Sequence, residues 1–246
     1  MQKIDVHGHF GLWNFPIPGT NRVEHLLALC EQHDICHTAC SSVLALCYSM
    51  EEGNAEIAAA FAGHPQLLAY VYVNANFLPE SVAEMERYLS LPNFVGVKIH
   101  ASYSGVNNAD PKMQDLMAEI ARRARLVKIH SGGPDVCGVL ARWAEQYPHV
   151  NFIIAHALGT AVEDAARLAA SHPNLYLEFC SSWAGAGKIA RALDICGATQ
   201  LLFGTDMDLI DPAFVIGQYE SAGLTEEQKQ AVYWDNPRRV LGLDAG

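Results

Sequence analysis

Glu145-Gln146-Tyr147-Pro148-His149-Val150-Asn151-Phe152-Ile153-Ile154-Ala155-His156 is the stretch that decides the fold. A helical segment runs into Pro148, which stops it, and an almost unbroken apolar run follows and ends on a histidine. A run that is apolar at successive positions, rather than at alternate ones, suits a parallel strand covered on both faces. The same order recurs on either side. Phe61-Ala62-Gly63-His64-Pro65 precedes residues 67–73, Leu89-Ser90-Leu91-Pro92 precedes 94–99, and Ala170-Ser171-His172-Pro173 precedes 175–179. Counting outward gives strands near residues 4–7, 35–43, 67–73, 94–100, 126–130, 151–156, 175–180 and 201–206. Their period of roughly 28 residues is that of a closed (β/α)8 barrel. The expectation is therefore α/β, one TIM-barrel domain over residues 1–246, with its site at the carboxyl ends of the strands.

The helices between these strands have signals of their own. Val23, Leu26, Leu27 and Cys30 form one apolar stripe after the start signal Gly19-Thr20-Asn21. Thr160 with Glu163 and Thr225 with Gln228 have capping-box spacing. Asp110-Pro111, Asp211-Pro212 and Asn236-Pro237 each put a capping side chain before a first-turn proline. Long loops are expected at residues 10–20, 44–53 and 101–110, on the catalytic face.

Composition narrows the function. The formal net charge is −11, and the Lys and Arg residues are scattered, so no basic surface is available for nucleic acid or for an anionic membrane. No apolar stretch approaches the roughly 18 residues of a membrane span. The strand-like Lys3-Ile4-Asp5-Val6-His7 starts too early for a signal peptide, which predicts a cytoplasmic protein. The seven cysteines contain no Cys-x-x-Cys pair and read as small, reduced, mostly buried hydrophobes.

The chemistry sits at strand ends. In His7-Gly8-His9 the period of two sends both imidazoles to one side. His130 closes the fifth strand, His156 the sixth and Asp206 the eighth. A barrel gathers such distant ends on one face, where imidazoles and a carboxylate make a divalent metal site. His100 ends the fourth strand on the same face and is a candidate substrate contact, with Trp13, Tyr48 and Tyr103 as candidate walls from the loops. His25, His33, His64, His149 and His172 lie in helices or connections and read as structural, and His37 as a hydrogen-bonded core residue.

With these residues in view, the sequence resembles the amidohydrolase superfamily, and most closely its amidohydrolase-related branch of small TIM-barrel hydrolases and decarboxylases. The matching segments are Ile4-Asp5-Val6-His7-Gly8-His9, Val95-Gly96-Val97-Lys98-Ile99-His100, Ile129-His130-Ser131-Gly132, Ile154-Ala155-His156, Leu175-Tyr176-Leu177-Glu178, Leu202-Phe203-Gly204-Thr205-Asp206 and Asn236-Pro237-Arg238-Arg239-Val240-Leu241-Gly242-Leu243. The resemblance implies that His7, His9, His130 and Asp206 hold one divalent transition metal, with Zn2+ favoured over Mn2+. It implies that Asp206 also handles a proton and that His156 orients the water or polarises the substrate.

Hydrolysis of a lactone, amide or ester-like bond in a small molecule is the first expectation, and non-oxidative decarboxylation of an unsaturated or aromatic acid the alternative. A decarboxylase wants a cation for its substrate's carboxylate, and the upper loops offer little beyond Arg22, Lys112 and Lys188. A barrel that binds metal and ligand without turnover is a third reading. A homo-oligomer is compatible with the sequence. Alternation also turns Asp5, Lys98, Lys128 and Glu178 inward, where they are expected to pair. A charged Lys98 in that network would resist carboxylation, so a mononuclear site is expected.

Overall fold

The computed structural model describes residues 1–15, 21–130, 132–182 and 185–243. Its strands are β1 (Lys3–Phe10), β2 (Ile35–Ser42), β3 (Leu67–Tyr72), β4 (Phe94–His100), β5 (Leu126–His130), β6 (Asn151–Ala155), β7 (Leu175–Glu178) and β8 (Leu201–Leu202). They follow one another in sequence order, each parallel to the next. The ring is closed beyond β8 by backbone bonds to β1. Val6 N–H donates to Phe203 O at 3.0 Å, Asp206 N–H to His7 O at 2.6 Å, and His9 N–H to Met207 O at 2.5 Å. This is the expected (β/α)8 barrel.

Between and after the strands run α1 (Val23–Gln32), α2 (Val43–Cys47), α3 (Met50–Phe61), α4 (Leu78–Tyr88), α5 (Ala101–Ser104), α6 (Pro111–Arg123), α7 (Cys137–Gln146), α8 (Val162–Ser171), α9 (Lys188–Cys196), α10 (Pro212–Glu220), α11 (Glu226–Gln230) and α12 (Asn236–Val240). Alternation along the strands divides the core. On β4 and β5, Val97, Ile99, Val127 and Ile129 join the cluster that contains the helix residues Leu116, Leu140 and Trp143. Lys98, His100, Lys128 and His130 occupy the other face, and Lys128 Nζ lies 4.2 Å from the ring centroid of Tyr70 inside the barrel.

Local signals held where a side chain was free to cap. Asp110 accepts from Lys112 N, Asp211 from Ala213 N, and Thr225 with Gln228 forms a complete capping box. Two expectations fail. Thr160 does not cap α8, whose N-cap is Ala161, because residues 157–159 take non-helical conformations that displace the helix start. Asn236 lies inside its helix, and its side-chain amide instead donates to the carbonyls of Ala198 and Leu201. Gly19 and Thr20 lie outside the described residues, and α1 begins after Arg22 without a side-chain cap. Its stripe is present: Leu26 and Cys30 are buried, and Val23 and Leu27 pack against the core.

All seven cysteines are free, three of them buried and four half-buried. His149 and His172 bond backbone carbonyls of Ala121 and Leu168. His37 is half-buried and faces Cys36 Sγ at 3.4 Å rather than sitting deep in the core. No helix among the described residues is long and apolar enough to cross a membrane.

Candidate metal centre

β1 brings His7 and His9 to the same side, both buried. Gly8 between them crosses β2 so closely that a Cβ would fall 2.7 Å from Cys40 Sγ and 2.9 Å from Thr38 Oγ1, so only glycine fits. Asp206 Oδ1 stands 3.0 Å from His9 Nε2 and 3.5 Å from His7 Nε2. One ligand atom from each of the three residues lies within 4.8 Å of the others. Asp206 reaches this place with φ 63°, in the left-handed region. Its N–H bond to His7 O holds it there, at a cost of about 1–3 kcal/mol of the kind that collects at functional sites.

The polarity of this triad calls for a cation. Glu178 Oε2 lies 2.7 Å from His7 Nδ1 and accepts a hydrogen bond from its N–H, which leaves a lone pair on Nε2 facing the Asp206 carboxylate. Accordingly His7 Nε2 and Asp206 Oδ1 are buried without a hydrogen-bond partner among the described residues, as is His9 Nδ1. Burial pushes the His7 imidazole well below its ordinary range and His9 down to about 4, so both are neutral at pH 7. Burial works the other way on Asp206, but the His9 imidazole 3.0 Å away, with His156 and Lys98 nearby, prevails and holds the carboxyl at about 2. Neutral imidazole nitrogens and an ionised carboxylate are a donor set that suits Zn2+ or Mn2+.

The other histidines form a second group beside the first. His156 Nδ1 donates to the carbonyl of Cys180, so its Nε2 is an acceptor. That nitrogen lies 3.2 Å from His130 Nδ1, which makes His130 the donor and leaves a lone pair on His130 Nε2. The His130 ring stacks on that of His100 at 3.8 Å between centroids, and His100 meets Tyr103 edge-on at 4.5 Å. Burial pushes His130 strongly down and His100 to about 2. His156, Ala157 and Leu158 all have positive φ, a turn that aims the His156 ring back across the barrel mouth. His130, His156 and Asp206 share a cavity of about 370 Å³ with Ser181, Ser182, Leu209 and Ile210.

His7, His9 and Asp206 therefore meet directly, while His130 stands outside that triad, against His156 and in the wall of the cavity it shares with Asp206. Trp13 packs edge-on against His9 at 5.0 Å and stacks on Phe15. Ser131 and residues 16–20 of the first loop lie outside the described residues. Tyr48 opens onto a different cavity, which it shares with Tyr103.

The expected pairing of the buried charges is not what the barrel contains. Asp5 accepts from His7 N at 2.8 Å and from Thr205 N and Oγ1 at 3.0 and 2.6 Å. Glu178 serves His7, Cys180 N and, at 3.4 Å, His156 N. Lys128 Nζ donates to Val6 O at 3.4 Å and lies over the Tyr70 ring, and Lys98 Nζ has no hydrogen-bond partner among the described residues. Backbone amides and imidazoles claimed the carboxylates because they end on the same layer. The two lysines are register partners on β4 and β5. Burial, reinforced by Lys128, pushes the Lys98 amine well below its ordinary range, which removes the reason given above for a charged Lys98.

Cys180 was read as an ordinary buried thiol. It is buried, but its Sγ lies 3.3 Å from His7 Nδ1 and 3.4 Å from His156 Nδ1, at the centre of the histidine group. Its position two residues after Glu178 was the available signal, since alternation places both on one face.

The sequence model of a family described as Amidohydrolase matches residues 4–243. No curated protein matches the chain. Among solved structures, 2,6-dihydroxybenzoate decarboxylase from Rhizobium is similar with a TM-score of 0.79 at 14% identity, covering 100% of both chains. A probable 2-pyrone-4,6-dicarboxylic acid hydrolase from Acinetobacter baumannii, with citric acid bound, has a TM-score of 0.75 at 15% identity over 98% of this chain and 100% of that one. A dihydroxybenzoic acid decarboxylase from Polaromonas, with manganese and 2-nitroresorcinol bound, has a TM-score of 0.78 at 14% identity over 100% of this chain and 98% of that one.

Proposed function

The chain belongs to the amidohydrolase family, and from that premise we propose that it is a metal-dependent hydrolase acting on a lactone, amide or ester-like bond of a small molecule in the cytoplasm. The observation that carries the reading is the meeting of two acceptors, His7 Nε2 and Asp206 Oδ1, 3.5 Å apart and buried. His7, His9, His130 and Asp206 hold one divalent cation, Zn2+ before Mn2+. When bound, the cation supplies Lewis-acid activation of water at neutral pH.

The chain's own residues do the rest. Asp206, ionised by its surroundings, stands on the cavity wall and takes the proton of the attacking water. His156, anchored through Nδ1 on Cys180 O, lines the same cavity and orients the reacting group. Leu209 and Ile210 give the cavity an apolar side that excludes bulk water.

The cavity wall over Asp206 contains no Lys or Arg among the described residues, which favours hydrolysis over loss of CO2 from a carboxylate that would need a counter-charge. Decarboxylases among the similar structures support the second reading. Incubating the metal-loaded protein with lactones, amides and aromatic or unsaturated acids separates them, with Asp206→Asn as control. Acid release with uptake of 18O from labelled water is the expected result. Release of CO2 would replace it with the decarboxylase, and silence across the panel would leave a binding protein.

A further inference from the structure

A second cavity of about 410 Å³ opens on the catalytic face, between the loops that follow β2, β3 and β4. Its walls include Tyr48, Phe77 and Tyr103, which are 66%, 52% and 44% exposed. The exposed aromatic side chains among the described residues are these three with Phe15 and Phe214. Gathering three of the five around one hollow is not the scatter of single apolar residues usual on a surface. Among the described residues, the only charged side chains in the wall are the carboxylates of Glu51 and Glu80, both exposed and neither in an ion pair.

Beneath the hollow, Tyr72 packs in one small cluster with Ala45, Leu46 and Met50, all three of which also line the cavity. Tyr72 is 1% exposed, and its hydroxyl has no hydrogen-bond partner among the described residues. A buried hydroxyl left without a partner costs about 1–3 kcal/mol unless a polar group reaches it.

We propose that this cavity binds an organic ammonium ion, a charged nitrogen carried on a short apolar chain. Aromatic faces attract a cation through their quadrupoles, and two carboxylates at the rim add the Coulomb term. An anion meets both carboxylates and a chain of net charge −11. A neutral aromatic ligand uses the rings but leaves the carboxylates without purpose. The site borders the metal centre through Tyr103, whose ring stands edge-on to His100 at 4.5 Å, with His100 stacked on His130. It does not rest on which reaction the metal centre performs.

Calorimetric titration of the full chain with choline, and with its uncharged isostere 3,3-dimethylbutan-1-ol, tests the proposal. Choline is expected to bind at least roughly tenfold more tightly than the alcohol. Tyr48→Phe keeps that binding, whereas Tyr48→Ala and the double variant Glu51→Gln/Glu80→Gln each weaken it roughly tenfold. All three positions are exposed, so the variants fold. Absence of choline binding, equal affinity for the alcohol, or unchanged binding in Tyr48→Ala would overturn the proposal.

Discussion

Glu178 Oε2 accepts the Nδ1 proton of His7 at 2.7 Å, and both side chains are fully buried. The bond sets the His7 tautomer and points its free nitrogen at Asp206. Gly204 makes room for it, since a Cβ there would lie 2.5 Å from Glu178 Cγ. Partners that orient a metal-bound histidine typically contribute 10–100-fold to metal affinity. Glu178→Gln is therefore expected to fold and to lose roughly that factor, read by competition with a chelator. Unchanged affinity would assign the pair to the fold alone.

His130 and His156 are expected to part company. His156 Nε2 is already engaged by His130, whereas His130 keeps a free nitrogen. His156→Ala should retain metal and lose turnover, and His130→Ala should lose both. Equal metal loss from the two proteins, measured by elemental analysis, would make His156 a direct ligand.

The metal-free protein should weaken as the pH falls from about 6.5 towards 4. His9 titrates near 4 in the fold instead of 6.5, so in that window the unfolded chain takes up a proton that the folded chain refuses. His7, His100 and His130 are shifted the same way. Asp5, raised to about 7, and Glu178, also raised, act in the opposite sense by binding protons in the fold. Burial also lowers the His37 imidazole and raises the Glu56 and Glu84 carboxyls, which leaves five imidazoles against four carboxylates. Each net proton taken up on unfolding lowers stability by about 1.4 kcal/mol per pH unit. Urea midpoints at pH 7 and pH 5 read the effect, and equal stability at both would contradict it.

Lys98 offers a test of the barrel's interior. Its side-chain nitrogen is buried with no hydrogen-bond partner among the described residues, and burial drives it towards the neutral amine. Lys98→Met should leave the metal-free protein as stable as before, or more stable by about 1–3 kcal/mol. A comparable loss of stability in urea would mean that Lys98 is charged and compensates Asp206.

Much of this centre was legible because it follows from periodicity. The period of two in His7-Gly8-His9, and the histidines that end β5 and follow β6, need only a strand and a barrel to be brought together. The partners of buried charges were not legible, because they depend on which strand ends share a layer. Asp5 and Glu178 were correctly placed inward, but Thr205 and His7 took the bonds expected of Lys98 and Lys128. The strand through Asp206 was expected to run regularly, yet regular pairing stops at Leu202, and the positive φ of Asp206 depends on a bond to His7 about 200 residues away in sequence. Thr160 had the right spacing for a cap and no helix start to cap, a difference that only the turn at residues 157–159 decides.

The metal content of the double variant His7→Ala/His9→Ala tests the central claim most directly. Purified wild-type protein, loaded with Zn2+ or Mn2+ and desalted, is expected to keep about one ion per chain, the number a single set of three histidines and a carboxylate can hold. The double variant should keep none while retaining the circular dichroism of the barrel. A folded double variant with undiminished metal would contradict the assignment of the centre to these two residues.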